Sequence, residues 1–322
     1  MTETCTVERF LEVWNRHRSP TLVSQELGVS VRNVQARRRR IEAAQKITLA
    51  AADSRSAHYY PHIEPRQHPA RHKLEVTNGH VIVFSDAHFW PGVRTTAFRG
   101  LLRLINDLKP VAVINNGDAF DGASISRHPR IGWDSKPTVI EELKACKERL
   151  QEVEEAAGRA KLIWPLGNHD ARFETFLAAN SPQFQGVKGF QLRDHFDKWE
   201  PCWATWINDD VVVKHRYKVG VHATHNNTVA SGKTMVTGHL HSLKVTPYDD
   251  YNGTRFGVDT GTLAEPSGPQ FEDYLETNPV NWRSGFVVFT WVDGRMLWPE
   301  LVPVHSFDKI EFRGQIIDVS KE

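Results

Sequence analysis

At 322 residues, with 40 Lys/Arg against 39 Asp/Glu and 40% apolar residues, the chain is long enough for a large core and one small extra domain. No apolar run approaches the roughly 20 residues that span a bilayer, and the opening MTETCTVERF has neither a basic n-region nor an apolar h-region, so a cytoplasmic protein is expected. Three widely separated cysteines, Cys5, Cys146 and Cys202, argue against a disulfide framework and fit a reducing compartment.

Charge divides the chain. Residues 1–78 hold 13 Lys/Arg against 8 Asp/Glu, so a basic end precedes a mildly acidic body, as two parts with different partners would show. Phe10, Leu11 and Trp14 share one face of a first helix over residues 6–17. Ser19-Pro20 reads as an N-cap and first helical proline, and Gly28 ends the short helix that follows. Ser30 caps a third helix running to about Ala44. Residues 46–78, interrupted by Pro61, Pro65 and Pro69, read as linker.

The body, expected over 79–305, opens with Val81–Phe84, a continuous apolar run of the kind buried on both sheet faces. A helix carrying Phe98, Leu101, Leu102, Ile105 and Leu108 follows, then a strand at Val111–Ile114. A long helix presents Val139, Ile140, Leu143, Cys146, Leu150 and Val153 on one face and leads to a strand at Lys161–Trp164. Further strands are expected at Val211–Val213, Thr234–Thr237 and Phe286–Trp291, with 171–209 as an irregular insertion and 306–322 as a C-terminal tail. The alternation is that of an α/β protein.

Residues able to bind metal recur where these strands end: Asp86 and His88; Asp118 and Asp121; Asn168, His169 and Asp170; His215; His239 and His241. Sites in open α/β sheets form at the carboxyl ends of strands, and a mixed set of O and N donors suits Mn, Fe or Zn better than Ca. Each fragment alone is weak; five in order, each at an expected strand end, are not.

SDAH (85–88), GDAFD (117–121), GNHD (167–170), KH (214–215) and GHLH (238–241) together resemble the calcineurin-like metallophosphoesterases. The resemblance implies a two-sheet sandwich flanked by helices and a centre of two divalent metal ions, manganese first, with Fe, Zn or Mg as alternatives. It implies that Asp86, His88 and His241 bind one metal, that Asn168, His215 and His239 bind the other, and that Asp118 bridges them. A metal-bridging hydroxide would attack phosphorus in line, with His169 as acid and Asp121 as its partner. Asp170 is open between helix capping and catalysis. The usual His-Gly of the fourth motif is His215-Arg216 here, and His222 and His225 leave that ligand open; His215 is favoured because it directly follows Val211–Val213. Gly122 stands where Ser/Thr phosphatases of the family carry arginine, which points towards diesterases and nucleases.

Residues 22–41 resemble a helix-turn-helix, with Val23, Leu27, Val29 and Val34 as core, Arg32, Asn33, Gln35 and Arg37 facing a groove, and Arg38, Arg39 and Arg40 on phosphates. This module, expected over 1–45, makes DNA the expected partner; its union with such a catalytic core resembles phage-encoded proteins, and hence a host cytoplasm. Arg127, His128, Arg130, Trp133 and Arg172 are expected to overhang the metals and touch substrate. The leading expectation is a metal-dependent DNA nuclease. The alternatives are a phosphomonoesterase or small-nucleotide phosphodiesterase, and a DNA-binding regulator with an inactive phosphoesterase domain.

Overall fold

The structure is a computed structural model that describes residues 5–49, 68–127, 136–271, 275 and 278–322. It divides into two compact units, Met1–Gln67 and His68–Glu322. Among the described residues no helix is long and apolar enough to cross a membrane.

The first unit contains α1 (Val7–His17), α2 (Pro20–Leu27) and α3 (Val31–Gln45). Thr6, Ser19 and Ser30 each cap the helix that follows, accepting a bond from a backbone N–H three residues on. Gly28 takes the left-handed conformation that ends α2. Phe10, Val13, Trp14, Val23, Val34 and Ile41 form the core. Glu26 gathers Arg9, Arg16 and His17 from α1, tying α2 to it.

The second unit is built on two sheets. The smaller runs in the order β1 (His72–Leu74), β6 (Thr205–Ile207), β7 (Val211–Val213), β8 (Thr234–Thr237), β10 (Gly253–Asp259) and β9 (Lys244–Asp250). The larger runs β15 (Gln315–Asp318), β14 (Lys309–Phe312), β13 (Glu300–Ser306), β11 (Gly285–Val292), β2 (Gly79–Phe84), β3 (Ala112–Asn115), β4 (Lys161–Pro165) and β5 (Glu200–Cys202), with β12 (Arg295–Met296) paired to β11. Alternation along β2 explains the layers. Val81 and Val83 enter a core between the sheets with Ile114, Val213, Val236 and Val258. Ile82 and Phe84 face the other way, packing with residues of α4 (Thr96–Leu108) and α5 (Val139–Ala157).

β2, β3 and β4 are parallel, as are β7 and β8, so the loops after them leave in register. Two further helices, α6 (Asp170–Asn180) and α7 (Ala223–Ser231), follow β4 and β7.

Three sequence expectations are corrected. The 171–209 segment is not irregular throughout: it holds most of α6, whose buried residues are only Asp170 and Phe173, too few for a periodic apolar stripe, together with β5 and β6. Residues 72–74, expected in the linker, pair parallel with β6 because Leu74 is buried in the inter-sheet core. Residues 306–322 are no tail: β14 and β15 extend the large sheet, and Ile310, fully buried, closes over Gly100 of α4.

Candidate metal centre

Every expected ligand lies just beyond a parallel strand. Pairing continues past the strand ends, with Asp86 N–H donating to Gly117 O and His88 N–H to Asp118 O, both at 2.9 Å. The ladder therefore aligns the β2 and β3 loops residue against residue. The turns required are strained: Asp86, His88, Asp118, His239 and His241 have φ of 52°, 40°, 56°, 72° and 55°. A left-handed non-glycine residue costs about 1–2 kcal/mol, and such residues cluster where function demands them.

Three groups of donors result, one of them His88, Asp121 and His169, and the other two hold the expected ligands. Of these two, the first is Asp86, His88 and His241; the second is Asp118, His215 and His239, with ligand atoms within 4.8 Å of one another in each group. His215 Nε2 lies 3.0 Å from Asp118 Oδ2 and 4.0 Å from Asp86 Oδ1, so both groups line one cavity. Asp118 Oδ1 accepts from His169 N–H at 2.8 Å, and Asp86 Oδ2 from His239 N–H at 2.9 Å. His222 and His225 are exposed and belong to neither group. Asn168 Oδ1 is buried without a hydrogen-bond partner.

Beside these groups, Asp121 Oδ1 meets His88 Nδ1 at 2.7 Å and His169 Nδ1 at 2.8 Å. Arg172 donates to Asp121 O at 3.0 Å and lies 3.1 Å from His169 Nε2. Arg127 is exposed at the end of a short 3-10 turn; His128, Arg130 and Trp133 lie outside the described residues.

The electrostatics show what the cavity requires. Burial opposes charge on Asp86, but His241 and His215 outweigh it and hold the carboxyl at about 2. Burial likewise opposes charge on His215, but Asp118 and Asp86 push it up to about 10. Burial disfavours the charged form of Asp121 too, yet bonds from His169 and His88 keep it ionised. These buried carboxylates thus require positive charge, while His88 Nε2, His215 Nε2, His241 Nδ1 and Asn168 Oδ1 are buried with no hydrogen bond. Divalent cations satisfy both needs, and the donors suit Mn, Fe or Zn.

The profile of the calcineurin-like phosphoesterases matches residues 79–254. The chain belongs to that family. No curated protein matches this phosphoesterase in sequence. Among solved structures it is similar to the phosphoesterase Yfce from E. coli, with 14% identity over 68% of this chain and 97% of that one and a TM-score of 0.32. It is also similar to a protein serine/threonine phosphatase from Saccharomyces cerevisiae, with 14% identity over 70% and 77% and a TM-score of 0.33. The phosphoesterase is a metal-dependent hydrolase by family, and its His/Asp clusters provide the donors.

Several contacts of the site carry no signal in the sequence. Asp170 accepts five N–H bonds, from Asp118, Ala119, Phe120, Gly167 and the Trp164 indole, at 2.8–3.1 Å. Its carboxylate ties the GDAFD loop to the GNHD loop. Phe271 and Trp282 wall the first donor group, with ring centroids 5.6 and 4.4 Å from that of His241. They lie at least 30 residues further along the chain than His241, which no local pattern reveals.

In the N-terminal unit, Arg32, Asn33, Arg39 and Arg40 are exposed on α3. Arg37 and Arg38 turn inward instead. Arg37 bonds Cys5 O and covers the Phe10 ring, and Arg38 pairs with Glu42 and covers Trp14. Both guanidiniums hold the module together.

Proposed function

We propose that this phosphoesterase is a di-metal phosphodiesterase acting on DNA. The observation that carries the reading is Asp118, whose carboxylate lies 3.0 Å from His215 Nε2 and 3.9 Å from His169 Nε2 in a cavity shared by both donor groups. Asp86, His88 and His241 would hold one divalent ion, and Asn168, His215 and His239 a second, with Asp118 common to both. Bound there, the ions lower the pKa of water and neutralise charge on phosphoryl oxygens. Manganese is the first choice, with Fe, Zn and Mg compatible.

The chain's own residues handle the proton. With Nδ1 held by Asp121, His169 has Nε2 left to protonate the leaving oxygen. Burial lowers the His169 pKa, but Asp118 and Asp121 outweigh it and raise it. A guanidinium only donates, so Nε2 accepts while Arg172 remains beside it. A phosphoryl oxygen that takes over the Arg172 Nη2 bond, with Nη1 still on Asp121 O, leaves Nε2 to carry the proton. Gly122 in place of an arginine supports a diester over a phosphoprotein substrate, and the exposed arginines of α3 support DNA as its source.

The test is cleavage of single- and double-stranded DNA with added Mn²⁺, beside bis(4-nitrophenyl) phosphate and 4-nitrophenyl phosphate. Asp118→Ala should remove all turnover; activity within tenfold of the unmodified chain would refute the assignment. His169→Ala should lower kcat about 10²–10⁴-fold with two metals still bound, and loss of metal would give it a ligand's role. Turnover of the monoester alone would move the substrate away from DNA.

A further inference from the structure

Beside Asn168 the surface opens into a cleft of about 600 Å³, bounded by Ile125, Arg127, Arg172, Phe176 and Arg216. That is within the roughly 300–1,000 Å³ typical of organic-ligand clefts. Its three guanidiniums come from three places: the 3-10 turn after β3, helix α6, and the loop after β7. Among the described residues no carboxylate lines the cleft. Arg172 is anchored on Asp121 O. Arg127 and Arg216 are exposed and, among the described residues, lie in no ion pair. Phe176 sits one helical turn beyond Arg172 and is 43% exposed, an aromatic surface that the core does not use.

Uncompensated guanidiniums next to an exposed ring, in a groove continuous with the reaction site, match a sugar-phosphate chain with an unpaired base. Arg216 is the informative residue. It directly follows His215, at the position where the resemblance leads one to expect glycine, and so adds a cation at the mouth of the second donor group.

We propose that this cleft is the subsite for the strand flanking the scissile bond, with Arg127 and Arg216 holding the neighbouring phosphate and Phe176 stacking its base, so that the substrate is single-stranded DNA. This rests on the phosphodiesterase reading above. A base stacked on Phe176 is not paired, which separates this substrate from duplex.

The experiment uses the full chain with Mn²⁺ and three substrates: a short single-stranded DNA oligonucleotide, the same strand in duplex, and bis(4-nitrophenyl) phosphate, which has no flanking phosphate. The unmodified chain should prefer the single strand. Phe176→Ala and the double variant Arg127→Ala/Arg216→Ala should each raise KM for the single strand about tenfold more than KM for the small diester. The double variant should also flatten the salt dependence of single-strand binding, by about 0.7 in log–log slope for each phosphate no longer neutralised. All three side chains are exposed, so the fold does not depend on them. Equal changes on oligonucleotide and small diester would overturn the subsite, as would faster cleavage of duplex. Turnover of the small diester with none of the oligonucleotide would overturn it while leaving a phosphoesterase. A chain inactive on every substrate would refute the parent reading as well.

Discussion

Glycine and carboxylate meet twice in the centre, and both meetings are steric requirements. A Cβ on Gly167 would overlap Asp118 Oδ1, and one on Gly238 would overlap Asp86 Oδ2. The glycine of each motif is therefore set by a carboxylate from another strand's loop, which reaches into the space its side chain would fill. Gly167→Ala should cut turnover at least a hundredfold and weaken metal binding while the far-ultraviolet circular dichroism stays unchanged, because only the loop must yield. Normal metal stoichiometry and turnover in that variant would show that Asp118 has room to move. The motif spacing was legible as a set of possible ligands. That Gly167 abuts Asp118 was not, since the two stand on separate strands.

Helix α5 brings a second kind of group to the centre. Its Glu142 is fully buried and accepts a bond from Ala123 N–H at 3.0 Å, just beyond Asp121, while its other oxygen has no partner. Burial pushes its carboxyl up to about 8, against the lowering effect of that N–H. Between the ordinary glutamate range and about 8, the folded chain keeps a proton that the unfolded chain releases. Stability from this group therefore falls as pH rises through that window and is fully lost above it. Denaturant unfolding should show a loss of about 2–4 kcal/mol between pH 5 and pH 8, and Glu142→Gln should remove most of that difference. An unaltered slope in the variant would assign the pH dependence to the histidines. The amphipathic face of α5 was readable from Leu143, Cys146, Leu150 and Val153, although Ile140, expected on that face, is exposed. Helices α6 and α7 were not, because their buried residues are few and largely polar, so no apolar period marks them.

Across the whole chain, a helical unit carrying exposed arginines accompanies a catalytic unit. Replacing Arg32, Arg39 and Arg40 by alanine should reduce the log–log salt slope of duplex DNA binding by up to about three, with hydrolysis of the small diester retained. An unchanged slope would remove DNA from the role of α3. Arg37 and Arg38 are poorer choices, since their loss would also uncover Phe10 and Trp14.

The sequence alone determined the α/β class, the strands that end in donors and the family, because a buried strand is a local apolar run and the residues after it follow at fixed spacing. It also marked three capped N-terminal helices, since capping is local. Tertiary structure decided what depends on neighbours distant in sequence. It brought His215, rather than His222 or His225, into the donor cluster and made Asp170 a clasp between loops. Phe271 and Trp282 came to stand against His241, Arg37 and Arg38 turned inward, and residues 309–318 joined the large sheet. A one-dimensional pattern records which face a residue presents but not which distant group meets it there, and at this centre the meeting of side chains from five strand ends makes the chemistry.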